Sequence, residues 1–195
     1  MRRADDLLRR IRLELAPVED RLRQHPYIAA LEAGRVPKER LSVFVGEQHS
    51  IIDSDLRSFA ALAARCEAGR SRDMFLRILS SEDIEAGAIR SLAEELDLDE
   101  AWLQAYEPMP EAQAYCHYMA WLAHYASPAE IAGGMAVNFP AWGQSCEQMG
   151  TALRDRYELS ARATAFFDMF SSTSSEEFSE EVAHIVGEGL EGGVS

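Results

Sequence analysis

At 195 residues, 47 % apolar and 27 % charged, the chain can form one globular domain over residues 1–195 with a substantial core. A formal net charge of −14 excludes the clustered cations that nucleic-acid binding needs, and no apolar run approaches the roughly 20 residues of a membrane helix. The cysteines, Cys66, Cys116 and Cys146, are odd in number and widely spaced, which suggests neither a disulfide framework nor a paired-cysteine metal knuckle.

The segments read at helical period. Residues 4–24 place Leu7, Leu8, Ile11, Leu15, Val18 and Leu22 three to four apart, with Pro17 expected to bend or restart the helix. The N-terminus leads straight into this pattern with no apolar signal-peptide core, so a cytoplasmic location is expected. Its arginines alternate with Asp5, Asp6 and Glu14 and read as a solvated face. His25-Pro26 opens a short helix that stops near Gly34, and Pro37 starts a long helix over about 38–65. After Gly69, Ser71 is expected to cap a helix to about Asp97, followed by a short helix at 99–106 and a Pro108/Pro110 connector.

Residues 110–126 form an aromatic-rich helix, and Ser127-Pro128 supplies a cap and a proline at the first helical position. The helix over 128–157 contains Gly133-Gly134 and Pro140, so a kink is expected near its middle. Ser160 is expected to cap a helix carrying Phe166, Phe167 and Phe170. Ser174 and Glu177 have capping-box spacing ahead of a final helix with Val182, Ile185, Val186 and Leu190. Nothing alternates at period two, and the fold class is all-α.

The run His25-Pro26-Tyr27 through Leu31, then Gly34 and Val36-Pro37, resembles the opening segment of the TenA-type thiaminase family. Phe44–Arg57 is similar to that family's first long core helix, Ala114–Met119 to its Ala-Tyr-x-x-Tyr helix, and Phe170–Phe178 to its aromatic-Ser-x-x-Phe turn. The stretch Arg77–Leu98 and the stretch Tyr157–Glu177 also resemble the metal-bearing segments of the heme-oxygenase-like diiron oxidases. Both branches, with the related PqqC proteins, imply a heme-oxygenase-like bundle of seven or eight helices around a central cavity.

The chemistry those branches imply meets substitutions here. In the diiron pattern Glu82 fits, but the histidine seven residues on is Ile89, Asn138 stands near a glutamate position, and the closing ligands fall on Phe170, Ser174 and Glu177. In the thiaminase pattern the Pro-Cys nucleophile would fall in Ala136–Trp142, which has no cysteine. Cys146 lies one to two turns later and reads as a small buried hydrophobe. The family's Gln-Asp pair corresponds to Glu47-Gln48, the acid shifted by one residue and so by about 100° around the helix. The last family helix, with its catalytic acid, has no obvious counterpart before Ser195. A haem reading rests on His25 and Gly133-Gly134, yet His25 precedes Pro26 and reads as a cap.

Among other constellations, His117 and His124 lie about 10 Å apart on one helix face, too far to share a metal. Tyr115, Tyr118, Trp121 and Tyr125 form an aromatic stripe read as core packing, unless the hydroxyls face a cavity. Glu47 is a candidate general base if it faces the bundle axis, and an outward position is equally open.

The leading expectation is a TenA/PqqC-like protein with an enclosed pocket for a small molecule, without metal or cofactor. Glu47 and Glu82 are the candidate acid–base residues, and Tyr115, Tyr118, Asn138, Trp142 and Phe170 the candidate binding residues. The alternative is a non-catalytic bundle acting as a binding or assembly partner, a homodimer covering apolar surface beside residues 180–190. A metal oxidase with substituted ligands stands third. Neither nucleic acid nor membrane is an expected partner.

Overall fold

The computed structural model describes residues 2–171 and 176–194, and among them there is no strand. The helices are α1 (Arg2–Arg23), α2 (Pro26–Glu32), α3 (Leu41–Arg65), α4 (Arg70–Glu95), α5 (Glu100–Ala105), α6 (Pro110–Tyr125), α7 (Pro128–Tyr157), α8 (Ala165–Ser171) and α9 (Glu176–Glu191), with a 3-10 turn at Lys38–Arg40 before α3. The fold is all-α, and no helix of the described residues is long and apolar enough to cross a membrane.

Local chemistry sets most of the boundaries. The His25 ring nitrogen Nδ1 accepts the Tyr27 N–H at 3.2 Å and caps α2, whose first residue is Pro26. Asp99 caps α5 through the Trp102 N–H, and Ser127 with Glu130 forms a full capping box at the start of α7. Ser160 receives the Ala163 N–H and starts the turn that leads into α8. The expected cap at Ser71 is corrected: the N-cap of α4 is two residues earlier, Gly69 at φ 149°, with no side-chain cap hydrogen bond. α1 and α7 run continuously through Pro17 and Pro140. The expected capping box at Ser174 falls outside the described residues.

α3 and α4 pair as long neighbours, α6 lies against α3, and α7 meets α1, α2, α8 and α9. Two apolar clusters form the core. One joins Phe59, Leu62, Phe75, Met119, Ile131, Met135, Val182 and Ile185; the other joins Val45, Ile52, Ile89, Leu92, Cys146, Phe166 and Phe167. Close approach at α7 is made possible by glycine: a Cβ on Gly143 would stand 2.7 Å from the Phe170 carbonyl oxygen.

On α9, Val182, Ile185 and Val186 are buried against the first cluster, and beside them Val186 and Leu190 line an open apolar groove with Leu15, Val18 and Leu22 of α1 and Val137 of α7.

Candidate functional site

A cavity of about 600 Å³ is lined from six helices. Spacing explains who faces it. From α3 come Gln48, Ile51, Ile52, Asp55 and Phe59, at steps of three, one, three and four residues that hold one helix face inward. α4 contributes Arg77, Ile78, Ser81, Glu82 and Glu85 by the same rule. Tyr115 arrives from α6; Asn138, Phe139 and Trp142 from α7; Met169 and Phe170 from α8; and Phe178 from α9. Phe139 stacks on Phe178 at 5.5 Å, and Trp142 meets the edge of Phe170 at 6.0 Å, which makes much of the wall aromatic.

Glu82, Tyr115, Asn138, Trp142 and Phe170, singled out from the sequence, are therefore brought to one cavity. Glu47 and Tyr118 are not among its lining residues. Glu47 sits one residue before the cavity-facing Gln48, and that step turns its side chain about 100° toward the α5–α6 connector. There its Oε1 accepts the Tyr106 hydroxyl at 2.7 Å and the Met109 N–H at 2.9 Å. The Tyr106 ring lies across Gly46, where a Cβ would come within 2.5 Å of it. Tyr118 points outward on α6, because Cys116, Met119 and Ala123 are the face that this helix buries.

The residues missed from the sequence are Asp55 and Glu85. Both are buried, as is Glu82. Tyr115 donates its hydroxyl proton to Asp55 Oδ2 at 3.0 Å, while the buried Oδ1 has no hydrogen-bond partner among the described residues. Burial raises the Asp55 carboxyl to about 7 despite the bond from Tyr115. Glu82 rises to about 9, first through burial and then through the neighbouring Glu85 and Asp55. Glu85 rises to about 7 through burial and Asp55, partly offset by the Ser81 hydroxyl. Tyr115 is raised far above the ordinary phenol value, first by burial and then by Asp55. The signal available in sequence was the seven-residue step from Gln48 to Asp55 and the three-residue step from Glu82 to Glu85, each on one helix face.

The donor set does not fit the metal and haem chemistry of the related branches. No group of His, Cys, Asp and Glu able to hold a metal ion occurs among the described residues, and no imidazole lines the cavity. Ile89 is fully buried within the second apolar cluster, Phe170 lines the cavity as an aromatic wall, and Ser174 falls outside the described residues. His25 is used as the cap of α2. No cysteine faces the cavity either: Cys146 is fully buried in the second apolar cluster, and burial holds its thiol well above the ordinary value.

Three solved structures illustrate the fold's likenesses. A TenA family transcription regulator from a Silicibacter species is 15 % identical, covering 97 % of this chain and 81 % of its own, with a TM-score of 0.73. A domain of unknown function with a heme oxygenase-like fold from Shewanella denitrificans is 14 % identical, covering 94 % and 87 %, at 0.72. A TenA homologue from P. horikoshii is 18 % identical, covering 96 % and 93 %, at 0.65. At these identities the likeness establishes a heme oxygenase-like fold. No curated protein matches the chain. The TENA/THI-4/PQQC family model, in contrast, matches residues 12–190, nearly the whole bundle including every lining residue of the cavity, and the chain belongs to that family.

Proposed function

We propose that the cavity binds a small, flat molecule with a basic or hydrogen-bond-donating nitrogen, without a metal. The observation that carries this reading is the buried Asp55 carboxyl, which has one oxygen bonded to Tyr115 and the other unpartnered, beside Glu82 and Glu85. Three carboxyl groups share a low-dielectric space whose lining cation, Arg77, is already engaged by Glu181 in an ion pair between α4 and α9. A ligand N–H or protonated nitrogen would satisfy Asp55 Oδ1, offset the burial that raises all three carboxyls, and relieve the repulsion that adds to it at Glu82 and Glu85. Aromatic walls from Phe59, Phe139, Trp142 and Phe170 suit a planar ring and favour a cationic one.

Acid–base chemistry is the route these residues support. Glu82, protonated at neutral pH, offers a proton; Asp55 and Glu85, close to half ionised there, can accept one. The nucleophilic cysteine of the TenA-type pattern has no counterpart among the lining residues. An aminopyrimidine is therefore the probe of choice, as the ligand class that the family resemblance implies and that this donor and acceptor set suits.

Isothermal titration with a 4-aminopyrimidine and with its amino-free analogue tests the reading. Binding of the amine with uptake or release of protons, lost in Asp55→Asn, is the expected result. Equal affinity for the two compounds, or an Asp55→Asn variant that binds both as well as the parent, would refute it.

A further inference from the structure

Three carboxyl groups reach the cavity from two helices, and the protein supplies them with few donors. Asp55 projects from α3, and Glu82 and Glu85 from α4, three residues apart and so neighbours on its surface. Each is less than a tenth exposed. Tyr115 donates to Asp55 Oδ2, while the buried Oδ1 meets no donor among the described residues. The Ser81 hydroxyl beside Glu85 is shared with the Ile78 carbonyl at 2.8 Å. Around Glu82 nothing offsets burial, and its carboxyl neighbours add to it. The demand is therefore for donors in several directions against about one negative charge, since near neutral pH Glu82 stays protonated and Asp55 and Glu85 are close to half ionised.

Resting on the reading of this cavity as a nitrogen-binding pocket, we infer that its ligand presents a planar N–C–N cation, an amidinium or guanidinium, to Asp55, Glu82 and Glu85. A single amine N–H would answer Asp55 Oδ1 and leave the α4 carboxyls as they are. An N–C–N cation carries N–H bonds along more than one edge of a plane, so one charge serves carboxyls on both helices. An ammonium also has several donors, but it is compact and strongly hydrated, and stripping its water costs more than for a delocalised ion. The walls favour the planar ion further. Trp142 with Phe170 and Phe139 with Phe178 line the cavity, and delocalised cations stack on aromatic faces. With about 600 Å³ to fill, there is also room for an aromatic or aliphatic body behind the charged group.

Such a cation enters already charged, without borrowing a proton. It stabilises the ionised carboxyls, so its arrival drives protons out of the cavity, and its affinity rises with pH. The titratable groups facing that space are Asp55 on α3, Arg77, Glu82 and Glu85 on α4, and Glu111 and Tyr115 on α6; α7, α8 and α9 line it with none. Glu181 of α9 stands behind Arg77 as its ion-pair partner, and the Cys146 thiol near Glu85 is held well above its ordinary value. The three buried carboxyls change charge between about 7 and 9, which sets the window of the effect.

Isothermal titration of the full chain with benzamidine, benzylamine and 4-aminopyrimidine tests the inference. Benzamidine and benzylamine share a ring and a single charge, so attraction to the net charge of −14 affects them alike. Benzamidine is expected to bind about 30-fold more tightly than benzylamine and to gain about tenfold in affinity from pH 6 to 8. It should release protons, read from buffers of different ionisation enthalpy, and weaken about 100-fold in Asp55→Asn at unchanged helical circular dichroism. Proton release and the pH trend are read on the parent chain and do not depend on a variant's folding. Benzamidine no tighter than benzylamine, proton uptake, or an affinity that falls with rising pH would overturn the inference. Binding of 4-aminopyrimidine alone would also overturn it while leaving the nitrogen-binding reading in place, and no binding by any of the three would remove both.

Discussion

Tyr115 and Asp55, sixty positions apart in sequence, meet through a 3.0 Å hydrogen bond that ties α6 to α3 at the cavity wall. The phenol is the one partner that pulls the Asp55 carboxyl down against its burial. Tyr115→Phe removes that pull and leaves Asp55 poorer by a donor. Because the bond favours the ionised form, the loss must grow as pH rises through about 7, where Asp55 deprotonates. Urea unfolding should give a loss of about 1 kcal/mol well below that pH and about 2–3 kcal/mol well above it. A loss independent of pH would show that Tyr115 acts by packing alone.

The three cavity carboxyls also fix how stability varies with pH. Their folded-state values are raised, to about 7 for Asp55 and Glu85 and about 9 for Glu82, above the ~4 of an unfolded chain. Between those limits the folded protein holds more protons than the unfolded one, so stability falls as pH rises. The contribution is full below about pH 4 and is lost through about 7 for two of the groups and about 9 for the third. Glu82→Gln keeps the shape and removes the titration. Its unfolding free energy should exceed that of the parent above neutrality, and the parent's slope between about pH 7 and 9 should flatten. An unchanged slope would place Glu82 outside this balance.

Much of this was readable in advance, and the rest fails for identifiable reasons. Helix order followed from periodicity, from the His25-Pro26 and Ser127-Pro128 starts and from the glycine and proline breaks, because those signals are local. Glu82, Tyr115, Asn138, Trp142 and Phe170 were reached through a family pattern that preserves position even where chemistry has changed. Asp55 was hidden because Asp53-Ser54-Asp55 reads as a solvated polar run, and the phase of α3 is visible only once Gln48, Ile51 and Phe59 are seen to share its inner face. Glu47 misled for the matching reason. Its burial comes from Tyr106 and the connector at Met109, a tertiary contact that periodicity cannot carry.

That contact is itself testable. Gly46 admits the Tyr106 ring, and Glu47 holds its hydroxyl and the Met109 N–H, so the α5–α6 connector is pinned to α3 at adjacent residues. Gly46→Ala places a methyl within 2.5 Å of the ring and should cost about 1–3 kcal/mol. In Tyr106→Ala the same substitution should cost little or even stabilise, since the ring is gone and alanine favours the helix. A double-mutant cycle reads the coupling directly. Coupling near zero would mean that the connector shifts aside instead of resisting.

Glycines within α7 should respond with opposite signs. A Cβ on Gly133 or Gly134 meets nothing within 4 Å, whereas one on Gly143 would lie 2.7 Å from the carbonyl oxygen of Phe170. The first pair lies along the open groove beside α1, and the third sits under α8. Gly134→Ala should therefore stabilise by about 0.5–1 kcal/mol, because alanine loses less backbone entropy in a helix and no neighbour has to move. Gly143→Ala meets backbone rather than a flexible side chain, so α8 must be displaced, at a cost of about 1–3 kcal/mol. Since Met169 and Phe170 of α8 form part of the cavity wall, Gly143→Ala should also weaken aminopyrimidine binding, while Gly134→Ala leaves it unchanged. Thermal unfolding and calorimetric titration of the two variants check both halves. If both substitutions moved stability in the same direction, α8 would not be docked on α7 through Gly143.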